Sequence, residues 1–218
     1  MNIRVAFVGA GKMVSAIVKS VLHSEIFGPM EIACCSARDG TSEKLSEETG
    51  ILRFDTIDEM LEAEPDLLVL GCKPQQLAQL PGSISESTQG TLILSIMAGI
   101  TLDRLSSVFP KARNLVRSMP NTPGQVGAGA TGFLFEKPAD VKDLELIRKI
   151  LSSLGFVQEV REERDIDRVT AISGSGPAYV FEFACALEEA GKDIGLEPEL
   201  ARELAAHTVI GAAKLMEQ

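Results

Sequence analysis

The sequence predicts an α/β fold: a doubly wound parallel sheet over residues 1–160, followed by an all-α region over 161–218. Three observations carry this. Short apolar, partly β-branched runs alternate with stretches of helical period. A Gly-Ala-Gly turn joins the first run to the first helical stretch. Beyond Arg161 only helical patterning remains.

Ile3 to Val8 is an apolar run interrupted only by Arg4, as expected of a strand covered on both faces. Gly9-Ala10-Gly11 turns the chain, and from Lys12 the residues Met13, Ile17, Val18, Val21 and Leu22 share one helical face. Glu31 to Cys35 reads as a second strand and Thr41 to Glu48 as a helix with Thr41 as its N-cap. A helix over Ile57 to Ala63 precedes a third strand, Leu67 to Gly71. Leu92 to Ile96, Ala112 to Val116 and Thr131 to Phe135 are further strand runs. Ala139 to Leu154 is an amphipathic helix with Gly155 at its C′ position, and Phe156 to Val160 a last strand. The charged stretch REERDIDR then opens helical sequence, interrupted only at Ser173 to Pro177, so the domain boundary is placed near residue 161.

Composition narrows the function. The 218 residues carry a formal net charge of −10, which argues against a nucleic-acid binder working through bulk positive potential. A dinucleotide-binding unit takes about 150 residues. The remainder is thin for a second self-sufficient core. Cys34, Cys35, Cys72 and Cys185 fall at no metal-ligand spacing and read as buried free thiols in a reducing cytoplasm. Cys34 and Cys35, being adjacent in a strand, point to opposite faces. His23 and His207 have no partner at motif spacing. No stretch reaches the ~18 apolar residues of a membrane span, and the N-terminal run is broken by glycines and Lys12, so a cytoplasmic protein is expected.

The turn V-G-A-G-K-M-V has a mechanism in this strand–turn–helix setting. Gly9 permits the tight turn, and Gly11 lets the backbone approach a pyrophosphate at the helix N-terminus. The third glycine position holds Val14, a departure expected to push the helix slightly from the strand. At the ribose end, an NAD site favours an acidic residue, whereas this chain has Cys35-Ser36-Ala37-Arg38. A hydroxyl and a guanidinium suit a 2′-phosphate, which favours NADP; the alternative is a solvated Arg38. Asp39 follows directly, so the preference need not be strict. Lys73, in Gly71-Cys72-Lys73-Pro74 at a strand end, either faces a cofactor or is a surface lysine before a turn. In an acidic protein, Lys12, Arg38, Lys73 and Arg117 are the local cations an anionic ligand would need.

Several segments together form a more specific pattern. VGAGKM, GCKPQ, SIMAGIT, RSMPNTPGQVGAGATG and above all VTAISGSGPAYVF resemble the pyrroline-5-carboxylate reductase family, in order, from Val8 to Lys214. The resemblance implies a Rossmann-like N-terminal domain and a C-terminal helical domain that dimerises through intertwined helices, with dimers often assembling further. It implies hydride transfer from NADPH to C5 of 1-pyrroline-5-carboxylate, giving L-proline. Val8, Gly9, Ala10, Gly11, Lys12 and Met13 match the family's dinucleotide turn, and Ser36 its ribose-end position. Asp58 falls near the adenosine, Gly71, Cys72, Lys73 and Pro74 match the cofactor loop, and Met97, Ala98 and Gly99 the nicotinamide-side strand end. The substrate half of the site is implied at Met119, Pro120 and Asn121, at Thr170, and at Ser173, Gly174, Ser175 and Gly176. The turn from Ser173 to Pro177 can supply backbone N–H groups to a carboxylate, or pack helices closely through small residues, and both can hold.

The family continues beyond the helix carrying GAAKL (Gly211 to Leu215) with a Ser-Pro-Gly-Gly-Thr-type loop that binds the substrate carboxylate and offers the proton-donating hydroxyl. This sequence runs to Gln218, so the expectation is better cofactor binding than catalysis, and no proton donor is assigned. The alternative functions are a cofactor-binding relative without catalysis and another dehydrogenase sharing the dinucleotide half, against which SGSGPAY argues. Val180, Phe181, Phe183, Ala184 and Leu187 make the helical region too apolar to stand alone, which predicts a homodimer.

Overall fold

The computed structural model describes residues 2–37 and 39–218. Its elements run β1 (Val5–Val8), α1 (Lys12–His23), β2 (Ile32–Cys35), α2 (Thr41–Thr49), β3 (Leu52–Arg53), α3 (Ile57–Leu61) and β4 (Leu67–Leu70). There follow α4 (Ile84–Ser87), β5 (Leu92–Ser95), α5 (Leu102–Val108), β6 (Asn114–Met119), β7 (Gly129–Phe135), α6 (Val141–Ser152) and β8 (Gly155–Glu159). The helical region holds α7 (Glu163–Val169), a π-helical turn at Thr170–Gly174, α8 (Gly176–Asp193) and α9 (Pro198–Met216).

The eight strands form one sheet in the order β3-β2-β1-β4-β5-β6-β7-β8. Strand order reverses between β1 and β4, which pair in parallel with Val8 opposite Leu70. Doubly wound sheets open a ligand crevice at that switch point. Pairing is parallel except at β6–β7, where Arg117 lies opposite Leu134 in an antiparallel pair. A short β6–β7 connection makes that reversal possible, since a parallel pair needs a long crossover.

Every residue of β1, β2, β4 and β5 is buried, because helices cover both faces of the sheet. Cys34 joins the core on the α1 and α6 side, and Cys35 the core on the other side. The other two cysteines are not buried as expected: Cys72 is half-buried and Cys185 exposed.

Local chemistry corrects several expectations. Thr41 is the first residue of α2 and not its N-cap; Gly40 precedes it in the left-handed region, and Asp39 caps the turn by accepting from the Thr41 N–H at 3.1 Å. Gly155 is not a helix C′ residue but the first residue of β8, with φ +132°. A Cβ there would lie 2.4 Å from the Gly129 carbonyl oxygen, so close strand pairing requires the glycine. Val14 is fully buried on the core face of α1, which the helical pattern had left out. The interruption at Ser173 to Pro177 is not a break: Thr170–Gly174 is π-helical, and Ser175 has helical backbone angles.

The chain packs as two compact units, Met1–Gly174 and Ser175–Gln218. Helical character begins with α7, yet α7 packs on the sheet because Ile166 is buried and Arg117 of β6 binds two of its carboxylates. In the second unit α8 and α9 pair closely, with Ala201 and Ala205 buried, while α8 buries none of its residues. Tyr179, Phe181 and Phe183 of α8 are each more than three-fifths exposed. Among the described residues no helix is long and apolar enough to cross a membrane.

Candidate functional site

A cleft of about 640 Å³ opens at the C-terminal ends of β1, β2 and β4. Its floor is the glycine turn. Gly9 takes φ +102°, and a Cβ there would lie 2.7 Å from the carbonyl carbon and oxygen of Gly71. The Gly9 N–H donates to the Cys35 carbonyl at 2.8 Å and the Gly71 N–H to the Val8 carbonyl at 2.9 Å, so the turn is tied to both neighbouring strands. Gly11 is the N-cap of α1, and nothing lies within 4 Å of where its Cβ would stand. Having no side chain, it leaves the first-turn N–H groups open to an anion.

Of the residues singled out for a cofactor, Val8, Gly9, Ala10, Gly11, Ser36, Asp58, Gly71, Cys72 and Lys73 line this cleft. Lys12 instead borders an adjoining depression with Lys19 and Lys44, which shares Ala10, Gly11 and Thr41 with the cleft. Met13 and Met97 pack into the two cores, and Met97 Sδ lies 3.8 Å from Cys72 Sγ, behind the wall. Pro74 opens a 3-10 turn, Pro74–Gln79, in which Gln76 accepts from the Lys73 N–H. Ala98 and Gly99 are exposed beyond β5, Gly99 with φ +74°. Arg38 lies outside the described residues.

The cleft also gathers residues that sequence reasoning missed, among them Asp55, Thr56 and Gln76. Asp55 and Thr56 follow β3, a two-residue strand too short to announce itself, so no motif marked them. Asp58, beside them, accepts from the Ser83 hydroxyl. Burial pushes the Cys72 and Cys35 thiols up, which keeps both protonated at physiological pH.

A second group of predicted residues meets beyond β6. Asn121, buried, accepts from the Ala130 N–H at 2.8 Å and donates to the Ser173 carbonyl at 2.9 Å. A Cβ on Gly174 would lie 3.1 Å from Met119 Cε, so Met119, Asn121, Ser173 and Gly174 sit together. The Thr170 hydroxyl donates to the Ile166 carbonyl and the Ser173 hydroxyl to the Val169 carbonyl, which leaves their oxygens as acceptors. Pro120 is buried at the start of the same connection. Ser175 and Gly176 open the second unit.

Arg117 anchors this region. Its side chain is 4% exposed, and the guanidinium reaches Glu163 at 2.9 Å and Asp167 at 2.6 Å. Glu163 Oε1 also accepts from the Leu102 N–H at 2.7 Å, so one carboxylate ties α7 to the start of α5 and to β6.

Comparison with known proteins agrees with this geometry. A family profile described as pyrroline-5-carboxylate reductase dimerisation matches residues 163–218, and one described as NADP oxidoreductase, coenzyme F420-dependent, matches residues 4–99. The chain is 33% identical to pyrroline-5-carboxylate reductase 2 of Bacillus subtilis, over 99% of this chain and 77% of that relative. The structure of a pyrroline-5-carboxylate reductase from Coxiella burnetii superposes with a TM-score of 0.90 at 31% identity, covering 100% of this chain and 81% of that one. A Plasmodium falciparum pyrroline carboxylate reductase with NADP bound superposes with a TM-score of 0.85 at 28% identity, covering 100% and 79%.

Proposed function

The chain belongs to the pyrroline-5-carboxylate reductase family, and on that premise we propose that it reduces 1-pyrroline-5-carboxylate to L-proline with a hydride from NADPH, the last step of proline biosynthesis. The observation that carries this is the glycine-floored cleft at the switch point, on a chain so related over nearly its whole length. The residues present fit a dinucleotide: a Cβ-free turn beneath Gly71, and an uncapped helix start at Gly11.

Bound there, the reduced nicotinamide supplies the hydride. The open N–H groups at the start of α1 hold the pyrophosphate, with Lys12 and Lys73 adding positive charge. Ser36 and Arg38 take the ribose end, and their donors favour NADPH over NADH. Asp58 lies toward the adenosine, and Gly71 to Pro74 with Met97 to Gly99 shape the nicotinamide end. Met119, Pro120, Asn121, Thr170, Ser173 and Gly174 form the substrate half, with Ser175 and Gly176 added by resemblance. An imine carbon accepts hydride readily only when its nitrogen is protonated. The site therefore binds the iminium or delivers a proton to that nitrogen, and its further task is orientation.

Residues 1–160 act as the cofactor domain and 161–218 as the dimerising one. The exposed aromatic side chains of α8 suit a homodimer interface. Free thiols suit a cytoplasmic setting. Isotope transfer tests the reaction: NADPH carrying deuterium at both C4 positions of the nicotinamide delivers deuterium to C5 of proline. Cofactor oxidation that yields proline without that label overturns direct transfer.

A further inference from the structure

The ribose end of the cleft carries a carboxylate that a preference for NADPH does not account for. Asp39 lies just beyond β2 and lines the cleft with Ser36, Ala37 and Thr41. Its Oδ1 accepts from the Thr41 hydroxyl at 2.6 Å and from the Thr41 N–H at 3.1 Å, while the Ser36 hydroxyl, 3.4 Å away, has the Ala37 carbonyl as its nearer acceptor at 3.0 Å. The two hydroxyl oxygens are themselves 3.1 Å apart. Hydrogen bonding to the charged form, the Thr41 hydroxyl foremost, holds the carboxyl below the usual carboxylate range, so Asp39 is an anion at neutral pH.

Both Thr41 donors at this end of the cleft are therefore engaged by Asp39, and the Ser36 hydroxyl by the Ala37 carbonyl. A 2′-phosphate arriving there meets a fixed negative charge and donors already engaged. A 2′-hydroxyl meets an oriented acceptor instead, which is the role an acidic residue plays at the end of the second strand in NAD sites. We propose that Asp39 sets cofactor discrimination in this cleft: it accepts from the ribose hydroxyls of NADH and opposes the 2′-phosphate of NADPH. This rests on the dinucleotide reading above. It moderates the advantage that Ser36 and Arg38 give NADPH without abolishing it.

The test is equilibrium binding of NADP⁺ and NAD⁺ by calorimetry, to the unaltered protein and to Asp39→Asn and Asp39→Ala. The Asn variant keeps an acceptor for Thr41 and removes only the charge. Asp39 is exposed, so circular dichroism should show both variants folded. The expected result is NADP⁺ binding tightened about tenfold in Asp39→Asn, the scale of one charge interaction near a surface. NAD⁺ should bind no tighter than before. The NADP⁺ gain should shrink as salt rises, since the opposition is between exposed charges. An unchanged NADP⁺ to NAD⁺ ratio in both variants overturns the role of Asp39 while leaving the dinucleotide site standing. Weaker NADP⁺ binding in both variants also overturns it, by showing that the carboxylate supports the phosphate site. An unaltered protein that binds neither dinucleotide overturns the site and this inference together.

Discussion

Val14 occupies the space that Gly71 leaves empty. A Cβ on Gly71 would lie 2.2 Å from Val14 Cγ2, and Val14 is 1% exposed. The valine at the third position of the glycine turn is thus accommodated across the switch point, by a glycine on the neighbouring strand end. Gly71→Ala should therefore overpack the core beneath the cleft and cost about 1–3 kcal/mol. Val14→Ala in the same chain should recover most of that loss, because the two positions share one volume. Urea unfolding of both single variants and the double variant measures the coupling. Additive losses would contradict it.

The Arg117 triad predicts a graded pair of effects. Glu163 is 34% exposed and also holds the Leu102 N–H, whereas Asp167 is 68% exposed. Arg117 Nε is buried without a partner among the described residues, so its remaining bonds have little redundancy. Glu163→Ala should cost about 1–3 kcal/mol, and Asp167→Asn less than about 1 kcal/mol. Equal losses in thermal unfolding would show that burial does not rank the two carboxylates.

Alkaline stability should report the buried thiol. Burial foremost, with Cys35 adding to it, pushes the Cys34 thiol from 9.0 up to about 11. Between those values the folded chain keeps a proton that the unfolded chain has released. Stability from this group is therefore complete below pH 9 and is lost as pH rises through 11, at up to ~1.4 kcal/mol per pH unit. Cys34→Ala should flatten that decline in urea midpoints taken from pH 8 to 10.5. An unchanged slope would place the loss elsewhere.

Association should depend on α8. Phe181 is 63% exposed and Phe183 61%, and the profile matched over 163–218 is a dimerisation family. Sedimentation equilibrium at micromolar concentration should give a homodimer, and Phe181→Asp should weaken it by at least about tenfold, as expected of an aromatic anchor. A monomeric unaltered protein would contradict this account of the face.

The sequence makes some of this legible and hides the rest for physical reasons. Strands β1, β2, β4 and β5 are covered on both faces, so they appear as continuous apolar runs, and the glycine turn between the first run and α1 could be read with its mechanism. Leu52–Arg53 is too short to show a period, and the residues after it that line the cleft went unmarked. Gly155 looked like a helix terminator because its real constraint is the backbone of Gly129, distant in sequence. Thr41 looked like a cap because a hydroxyl at a helix start usually is one; here the carboxylate of Asp39 has taken that task. The Gly-Ser run after Thr170 looked like a break, yet it winds as a π-helical turn pinned by Asn121, a contact no local pattern encodes.

The most direct test is to count products. The protein is incubated with NADPH and 1-pyrroline-5-carboxylate, and NADPH loss by absorbance is compared with L-proline by mass spectrometry. A parallel sample carries Gly9→Ala, whose Cβ would press on the backbone of Gly71 and Cys72 at 2.7 to 2.8 Å. One proline per NADPH consumed is predicted, with turnover lost in the variant along with NADPH affinity. NADPH bound by the unaltered protein without any proline formed would contradict the reductase reading.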